Sequence, residues 1–428
     1  MQARARNHGV WHKAAAAAAL AATLTLGTQV AAAGAPLASY WSSSWTASPQ
    51  PLWGGEFVLP TNVPFQFNRQ TVRQVARLSV GGSRLRVEVS NEFGTQPLHI
   101  DALRIARHQE GSAVVSGTER VLYFGGRSQL VLAPGARAVS DPVDLAVPAL
   151  SRVAVSMYLP RPTAPSTFHW NANQTAYLAD GDLTAAPAMP ATAAKLGTRV
   201  FLSALLVDRP EPPVAVVTLG DSLTDGNGTT PDTDHRWPDF LAERLSGRGV
   251  AVLNAGIAGG RLLRDGMGPS GLARVQRDVL AQPGVRAVIV KLGTNDIGYP
   301  GGPFAPHEAQ VTAQEMIDGL RQLIALAHAH NVRIIGGTIA PNEGVAAGTP
   351  IEAHHSVAKN KVREAVNQWI RKSGEFDGVA DFDAVLRDPA RPTRMLPAYD
   401  AGDHLHPGDV GARAMAQSID LDALLSEQ

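Results

Sequence analysis

The chain has 428 residues, of which 44% are hydrophobic and 18% charged, and its formal net charge is zero. These proportions are ordinary for a globular protein, and the length predicts two domains. Because there is neither a net charge nor a block of like charges, nucleic acid and anionic membrane surfaces are not expected partners. The sequence contains no cysteine, which excludes disulfides, thiolate metal sites and a cysteine nucleophile.

The first 35 residues have the pattern of a secretory signal peptide. Arg4, Arg6 and Lys13 supply positive charge, residues 14–30 are apolar without a charge, and small residues follow at 31–35. This pattern predicts a secreted or periplasmic protein without stable membrane association. An uncleaved membrane anchor is the less favoured alternative, because the apolar segment is mostly alanine, which is only weakly apolar. No other stretch could span a bilayer.

Residues 40–207 contain strand-like runs and no convincing amphipathic helix. The run from Arg84 to Ser90 alternates strictly between polar and apolar residues, as a half-buried strand does. Gly81 and Gly82 separate it from the preceding run and predict a hairpin turn. The other strand-like runs are 74–80, 120–124 and 153–159. Short strands punctuated by Gly and Pro predict an all-β sandwich domain.

Three prolines within residues 208–213 predict a linker, after which the pattern changes to alternating strands and helices. Such alternation over residues 214–428 predicts an α/β domain with a parallel sheet between two layers of helices. The strand candidates are 215–219, 250–253, 287–292, 332–336 and 378–382. Helical spacing of apolar residues appears at 317–327 and 362–370, and a final helix is expected over 409–424.

Ser222 follows the first of these strands within the run Gly-Asp-Ser-Leu at 220–223. Open α/β sheets bind ligands beyond the carboxyl ends of their strands, so this serine is a candidate nucleophile. A serine hydroxyl reacts only when a base takes its proton and a third group orients that base. Asp403 and His406 are spaced so that one tight loop allows the carboxylate to accept the imidazole Nδ1–H. The other ring nitrogen would then face Ser222.

A tetrahedral intermediate also needs hydrogen-bond donors directed at its oxyanion. Gly259 lies in a glycine-rich segment after the second strand, where its backbone N–H can approach a ligand closely. Asn295 follows the third strand, so its amide is expected at the same edge of the sheet. The backbone N–H of Ser222 is the third expected donor.

These four segments resemble the four sequence blocks of the SGNH (GDSL) hydrolases. The matching residues are Gly-Asp-Ser-Leu at 220–223, Gly259, Gly-x-Asn-Asp at 293–296 and Asp-x-x-His at 403–406. The resemblance implies a flavodoxin-like three-layer α/β/α domain with Ser222 as nucleophile, His406 as base and Asp403 as its partner. Ser222, Gly259 and Asn295 would form the oxyanion hole, and no metal or organic cofactor is implied.

The N-terminal half carries a second resemblance. Residues 41–50 and 79–94 are similar to a β-domain that precedes the hydrolase in a bacterial subset of the family, often grouped with acetylesterases found beside xylan-degrading genes. The resemblance implies an all-β domain ahead of the hydrolase and favours a carbohydrate ester as substrate.

The same residues fit two other kinds of active site less well. An α/β-hydrolase elbow requires Gly-x-Ser-x-Gly, but residue 224 is threonine, and that fold separates its acid and histidine widely in sequence. A metal cluster is conceivable because imidazole and carboxylate groups bind Zn²⁺, but it would leave the serine, glycine and asparagine segments unexplained. The residues of that alternative are Asp400, Asp403, His404 and His406.

Several residues near the motifs are expected to support the structure rather than to react. Asp221 and Asp225 are expected to fix the turn around Ser222, and Asp296 is expected to support the site from behind. His354 and His355 are interpreted as a solvated helix cap. Trp237 is expected in the core. The segment with His169, Trp170 and Gln174 could reach over the site, although a polar loop with one buried tryptophan is the favoured interpretation.

The sequence therefore predicts a serine esterase. The favoured substrate is an O-acetyl group on a plant-type polysaccharide, because export is predicted, the site has small residues and no apolar lid is evident. A lipase or arylesterase acting on longer acyl or aryl esters is the second hypothesis, and it predicts an apolar groove beside Ser222. A non-catalytic carbohydrate-binding protein is the third, and the intact set of catalytic residues argues against it.

Overall fold

The computed structural model describes residues 39–55 and 57–426, so the predicted signal peptide lies outside the described residues. From residue 39 to Arg209 the described chain consists of strands and loops. Its strands are β1 (Tyr40–Thr46), β2 (Gln50–Pro51), β3 (Gln70–Arg77), β4 (Gly82–Ser90), β5 (Leu98–Ile100), β6 (Ala102–Arg107), β7 (Arg120–Val121), β8 (Leu130–Leu132), β9 (Arg137–Val139), β10 (Val143–Val147), β11 (Arg152–Leu159), β12 (Thr167–His169), β13 (Ala176–Asp180), β14 (Ala194–Leu196), β15 (Arg199–Val200) and β16 (Leu202–Arg209).

These strands form antiparallel sheets, which confirms the predicted all-β region. One sheet has the order β1-β16-β4-β10, with β9 also pairing with β4, and another has the order β14-β13-β3-β11-β6-β7. Smaller sheets join β15-β12-β2 and β5-β8. Side chains from both larger sheets share one apolar core, which includes Val72, Val155, Val87 and Leu205.

The predicted hairpin at Gly81 and Gly82 is wrong. β3 pairs with β11 and β13, whereas β4 pairs with β16, β10 and β9, so the chain passes from one sheet to the other at this point. The crossing segment is fixed by Ser44, whose hydroxyl donates to Val80 O (2.7 Å) and accepts from Val80 N (3.0 Å). An alternation of polar and apolar residues identifies a strand but does not show which strand pairs with it. The same face of the strand is buried whichever neighbour it has.

Strand β16 continues two residues into the predicted linker. Its end is held by Asp208, whose carboxylate accepts hydrogen bonds from the backbone N–H groups of Ser83 and Arg84, both at 2.7 Å. Arg84 Nε also lies 3.0 Å from this carboxylate. Proline prevents helix and central strand only from residue 210 onwards, so these contacts extend the sheet to Arg209.

The C-terminal region alternates strands with helices. Its strands are β17 (Ala215–Gly220), β18 (Ala251–Gly256), β19 (Val285–Lys291), β20 (Arg333–Gly337), β21 (Gly378–Ala380), β22 (Arg387–Asp388) and β23 (Arg391–Met395). Its α-helices are α1 (Ser222–Asp225), α2 (Trp237–Leu245), α3 (Gly271–Val275), α4 (Thr294–Gly298), α5 (Ala313–Ala329), α6 (Val357–Lys372), α7 (Phe382–Leu386), α8 (Asp409–Gln417) and α9 (Leu421–Leu425). Short 3₁₀-helices lie at Ser246–Arg248 and Pro350–His354, and a short π-helix lies at Gln276–Leu280.

The five strands β18-β17-β19-β20-β21 form a parallel sheet in this order, which is the flavodoxin-like order 2-1-3-4-5. Alternate residues of β19 enter different cores. Val288 packs on the side that contains α5 and α6, and Ile289 packs on the side that contains α2 and α8. The three-layer α/β/α prediction is thereby confirmed. Within the described part of the chain, none of the helices has the length and apolar character needed to cross a bilayer.

The all-β region packs along the edge strand β18 of the parallel sheet. Thr46 Oγ1 donates to Asn254 O at 3.3 Å, and Val252 N donates to Ser79 Oγ at 3.2 Å. This contact brings loops of the all-β region beside the carboxyl ends of the parallel strands.

The single predicted final helix is two helices. α8 ends at Gln417, and Asp420 begins α9 by accepting hydrogen bonds from Asp422 N and Ala423 N, both at 3.0 Å. A carboxylate that caps a new helix favours a break in the chain at that point. The helix therefore does not continue through residue 420, although the apolar spacing predicts one helix.

Candidate active site

Ser222 is the first residue of α1, directly beyond the end of β17. The preceding Asp221 caps this short helix by accepting a hydrogen bond from Leu223 N at 3.1 Å. Strand, cap and helix leave the Ser222 backbone little freedom, so its hydroxyl is held at the carboxyl edge of the sheet. This is the edge at which doubly wound folds bind ligands.

The loop before α8 brings His406 to this serine. His406 Nε2 lies 2.8 Å from Ser222 Oγ, and His406 Nδ1 lies 2.6 Å from Asp403 Oδ2. The other carboxylate oxygen of Asp403 accepts from the backbone N–H groups of Leu405 and His406, both at 2.9 Å. Hydroxyl, imidazole and carboxylate thus form one continuous hydrogen-bond chain, which is the arrangement that activates a serine for attack on a carbonyl.

The environment of Asp403 keeps its carboxylate ionised. Partial burial raises its pKa, but hydrogen bonds and charge interaction with His406, together with the two backbone donors, outweigh burial and hold the pKa well below its ordinary value. An ionised Asp403 selects the His406 tautomer with a proton on Nδ1, which leaves Nε2 free to accept the serine proton.

The N–H groups of three residues, Ser222, Gly259 and Asn295, lie around one cavity. Asn295, in α4, donates from Nδ2 to Gly260 O at 2.9 Å, which leaves its second amide hydrogen available. Among the described residues, the backbone N–H groups of Ser222 and Gly259 have no protein acceptor. Buried donors without a partner are rare, so these N–H groups are suited to an anionic oxygen.

The backbone at Gly259 requires glycine. Its φ angle is 73°, in the left-handed region. A Cβ atom there would lie 2.2 Å from Met267 Sδ and 2.6 Å from Tyr299 Oη. Any larger residue would displace the loop that carries this N–H.

A cavity of about 160 Å³ opens beside Ser222 and His406. Most of its lining is apolar or aromatic, whereas the sequence predicted a site with small residues and no apolar lid. Such side chains come from both halves of the chain: Leu59, Trp170, Met267, Tyr299, Phe304, Val345, Ile351 and Leu405. An apolar cavity with a few directed polar groups is the usual form of a small-ligand site.

The all-β region supplies one wall of this cavity through Trp170 and Leu59. Trp170 is held by hydrogen bonds from its backbone N–H to Gln50 Oε1 (2.8 Å) and from its indole N–H to Pro60 O (2.9 Å). The favoured interpretation of this segment as a polar loop with one buried tryptophan was therefore wrong for Trp170, which is only partly buried and lines the cavity. Gln174 lies elsewhere and donates to Asp232 at 2.7 Å.

His169, next to Trp170, contacts the residues behind Ser222. Its Nε2 lies 2.8 Å from Asp225 Oδ1, and Asp225 Oδ2 accepts from the backbone N–H of Ala258 at 2.9 Å. Asp225 is thus placed between the all-β region and the loop that contains Gly259. The contacts of its carboxylate are therefore with His169 and this loop, and not with the turn around Ser222 that it was expected to fix.

Two buried cations, whose roles the sequence pattern did not predict, hold the ends of the central strands. Lys291 Nζ lies 3.0 Å from Asp221 Oδ2, and both side chains are fully buried. Arg274 donates to the carbonyl oxygens of Gly220 (2.8 Å), the last residue of β17, and Ala255 (2.6 Å), the residue before the last of β18. Burial lowers the pKa of Lys291, while the Asp221 charge and hydrogen bond oppose this shift. Breaking such a buried pair typically costs about 3–5 kcal/mol.

Asp296 supports the loop after β18 from behind. Its carboxylate accepts hydrogen bonds from Leu262 N (2.7 Å) and Leu263 N (2.9 Å). Burial raises the pKa of Asp296 to about 6, although the two backbone hydrogen bonds act in the opposite direction. Trp237 is fully buried, as expected, and its indole N–H lies 3.3 Å from Thr224 Oγ1.

The expectation that His354 forms a solvated cap was wrong. His354 ends the 3₁₀ turn at Pro350–His354, and only 4% of its surface is exposed. Its Nε2 lies 3.2 Å from Asn295 Oδ1, and its Nδ1 lies 3.2 Å from Asn342 Nδ2. Burial, reinforced by the charges of Lys359 and other cations, lowers the pKa of His354 to about 3. No local sequence signal distinguishes such a histidine from a surface one.

His404, two residues before His406, forms a separate pair with Asp400 through its Nδ1. Its φ angle is 59°, and 44% of its side chain is exposed. No group of three or more histidine, cysteine or acidic side chains in the described residues is arranged to hold a metal ion.

The serine–histidine–aspartate arrangement at the edge of the parallel sheet has the geometry of a serine hydrolase. Residues 218–414 match the model of the GDSL-like lipase/acylhydrolase family. These residues form a domain of that family, which confirms the resemblance of the four sequence blocks and the assignment as a carboxylic ester hydrolase.

No curated protein matches the chain. Among solved structures, a GDSL-like lipase from Bacteroides thetaiotaomicron is 19% identical with a TM-score of 0.36, covering 50% of this chain and 91% of its own. A carbohydrate acetylesterase family member from Sinorhizobium meliloti is 20% identical with a TM-score of 0.36, covering 48% and 94%. An acetyl xylan esterase is 18% identical with a TM-score of 0.35, covering 48% and 97%. At these scores the likenesses carry no information about the substrate of this chain.

The low pKa of His354 leads to a prediction about stability. Between about pH 6.5 and pH 3 the unfolded chain binds a proton on this histidine and the folded protein does not, so acidification favours unfolding. His354→Gln removes this effect. From pH 7 to pH 5 the free energy of unfolding should therefore fall by about 2 kcal/mol more in the wild type than in the variant. Urea unfolding at the two pH values measures this difference.

His330→Gln, which replaces an exposed histidine at the end of α5, is the control and should follow the wild type. Equal pH dependence in the wild type and His354→Gln would contradict the burial of a neutral His354.

Proposed function

We propose that this chain hydrolyses carboxylic esters through an acyl-serine intermediate. The hydrogen-bond chain from Ser222 Oγ through His406 to Asp403 is the observation that carries the proposal. Ser222 Oγ attacks the ester carbonyl carbon while His406 Nε2 takes its proton. The carbonyl oxygen becomes an oxyanion, and the C–O bond to the alcohol breaks as His406 returns the proton to the leaving oxygen. His406 then takes a proton from water, which attacks the acyl-serine and releases the acid and Ser222.

The N–H groups of Ser222, Gly259 and Asn295 would stabilise the oxyanion. Removal of one such donor typically lowers turnover by about 100- to 1000-fold. Ionised Asp403 would stabilise the imidazolium that forms on His406 during attack. None of these steps requires a metal or an organic cofactor.

The cavity favours an ester with one compact apolar group. A volume of about 160 Å³ is close to that of cavities of roughly 150 Å³ that hold a benzene-sized molecule. It therefore suits a short acyl chain or an aryl group, and an extended lipid chain would exceed it. Trp170 and Leu59 would form the wall that limits this group.

An O-acetyl group on a carbohydrate is the second candidate substrate. The predicted export supports it, and the aromatic side chains of Trp170 and Tyr299 in the lining are of the type on which sugar rings can stack. An acetyl methyl group alone would leave much of the cavity unfilled. For this reason the short-chain or aryl ester is the better supported of the two.

Substitution of the proposed nucleophile and base tests the mechanism. Ser222→Ala and His406→Asn should each lower kcat for p-nitrophenyl butyrate by about 10⁴-fold or more, because they act in the same proton transfer, and the double variant should be no slower than either. His404→Asn is the matched control in the same loop, since asparagine tolerates its left-handed backbone, and it should retain activity. Wild-type activity in Ser222→Ala would overturn the proposal.

Truncation of Trp170 tests the cavity wall. Trp170→Ala should raise the ratio of kcat/KM for p-nitrophenyl octanoate to that for the acetate by at least about tenfold, because the missing indole makes room for a longer chain. Trp41→Ala, which removes a tryptophan packed on Arg86 in the same all-β region, should leave the ratio unchanged. An unchanged ratio in Trp170→Ala would show that this side chain does not limit the substrate.

A substrate panel separates the two candidates. For the wild type, we expect kcat/KM for p-nitrophenyl butyrate and for an ester of an aromatic acid such as methyl benzoate to exceed the value for acetylated xylan, measured as acid released. A sharp preference for acetyl esters, with rapid acetate release from the polysaccharide, would instead favour the carbohydrate O-acetylesterase.

A further inference from the structure

His354 is a buried histidine beside the site that the proposed mechanism does not use. Its ring lines the cavity next to Asn295 and packs edge-on against Tyr299, with ring centroids 5.7 Å apart. The backbone at Gly298 leaves room for it, because a Cβ atom at this position would lie 2.1 Å from His354 Cε1. The ring therefore has a closely fitted place directly behind the amide of Asn295.

The hydrogen bonds around Asn295 determine which way its amide faces. A carbonyl oxygen only accepts, so the contact with Gly260 O must be made by the NH₂ end of the Asn295 side chain. The amide oxygen then faces His354 Nε2, which must carry a hydrogen and donate. A neutral imidazole has one N–H, so its Nδ1 must accept, and the Asn342 NH₂ group is the donor in contact with it.

The resulting chain runs from Asn342 through His354 to Asn295. It occupies the amide oxygen and one amide hydrogen of Asn295 and leaves the second hydrogen for the cavity. Burial keeps His354 neutral, as its low pKa shows, so it remains a single donor at every pH at which a histidine base could work.

We propose that His354 is a positioning residue that fixes the Asn295 amide for stabilisation of the oxyanion. The inference rests on the proposed function, because it assumes that Asn295 acts in the transition state. Without the His354 N–H, the amide could rotate, and its oxygen rather than its N–H could face the developing negative charge. The loss would then appear in kcat rather than in substrate binding.

A double-mutant cycle tests this role with p-nitrophenyl butyrate. Asn295→Ala should lower kcat by about 100- to 1000-fold, and His354→Phe by at least about tenfold, each with little change in KM. Because both variants remove the same contribution, the double variant should be no slower than Asn295→Ala. His354→Gln, which retains an N–H donor, should recover part of the loss. His330→Gln is the surface control and should match the wild type.

Asn342→Leu is a second variant that leaves the imidazole in place and keeps the test decisive if His354→Phe does not fold. It removes the donor to Nδ1, so it should lower kcat in the wild type and have no further effect on Asn295→Ala. The positioning role would be overturned if the two substitutions of either cycle lowered kcat independently, so that the fold-losses multiplied in the double variant. It would also be overturned if a substitution changed only KM or only the unfolding midpoint. Ser222→Ala separates the two failures: if it remains active, the proposed function itself is wrong.

Discussion

The site depends on the alignment of three parallel strand ends, and buried cations maintain that alignment. Arg274 donates to carbonyl oxygens in the last two residues of β17 and β18, and Lys291 at the end of β19 pairs with Asp221 beside Ser222. A buried guanidinium or ammonium group is stable only while its partners stay in place, because an unpaired buried charge is costly. Ser222 and the segments that carry Gly259 and Asn295 are thus held by residues that do not line the cavity.

The all-β region is part of the candidate site as well as a neighbour of the hydrolase fold. Trp170 and Leu59 line the cavity, and His169 contacts Asp225, which in turn holds the loop of Gly259. The size and apolar character of the cavity therefore come from both halves of the chain. A parallel sheet with the same triad and a different first region would present a different substrate pocket.

The residues of the candidate site could be named from sequence because each lies in a short motif beside a strand or helix end, and the structure brings Ser222, His406 and Asp403 within hydrogen-bond distance. Periodicity also identified the parallel strands to within a few residues. His354, Lys291 and Arg274 could not be recognised, because their roles come from carbonyl and amide groups that are distant in sequence. The hairpin at Gly81 failed for the same reason: alternation shows which face of a strand is buried but does not show which strand lies beside it.

The most direct test of the account is the identity of the nucleophilic residue. The wild type would be treated with diisopropyl fluorophosphate, a serine-directed reagent, and the product analysed by intact mass and peptide mapping. The account predicts one adduct, located on Ser222, with loss of esterase activity in proportion to labelling and much slower labelling in His406→Asn. Full esterase activity in a protein labelled at Ser222, or inactivation by an adduct on another residue, would contradict it.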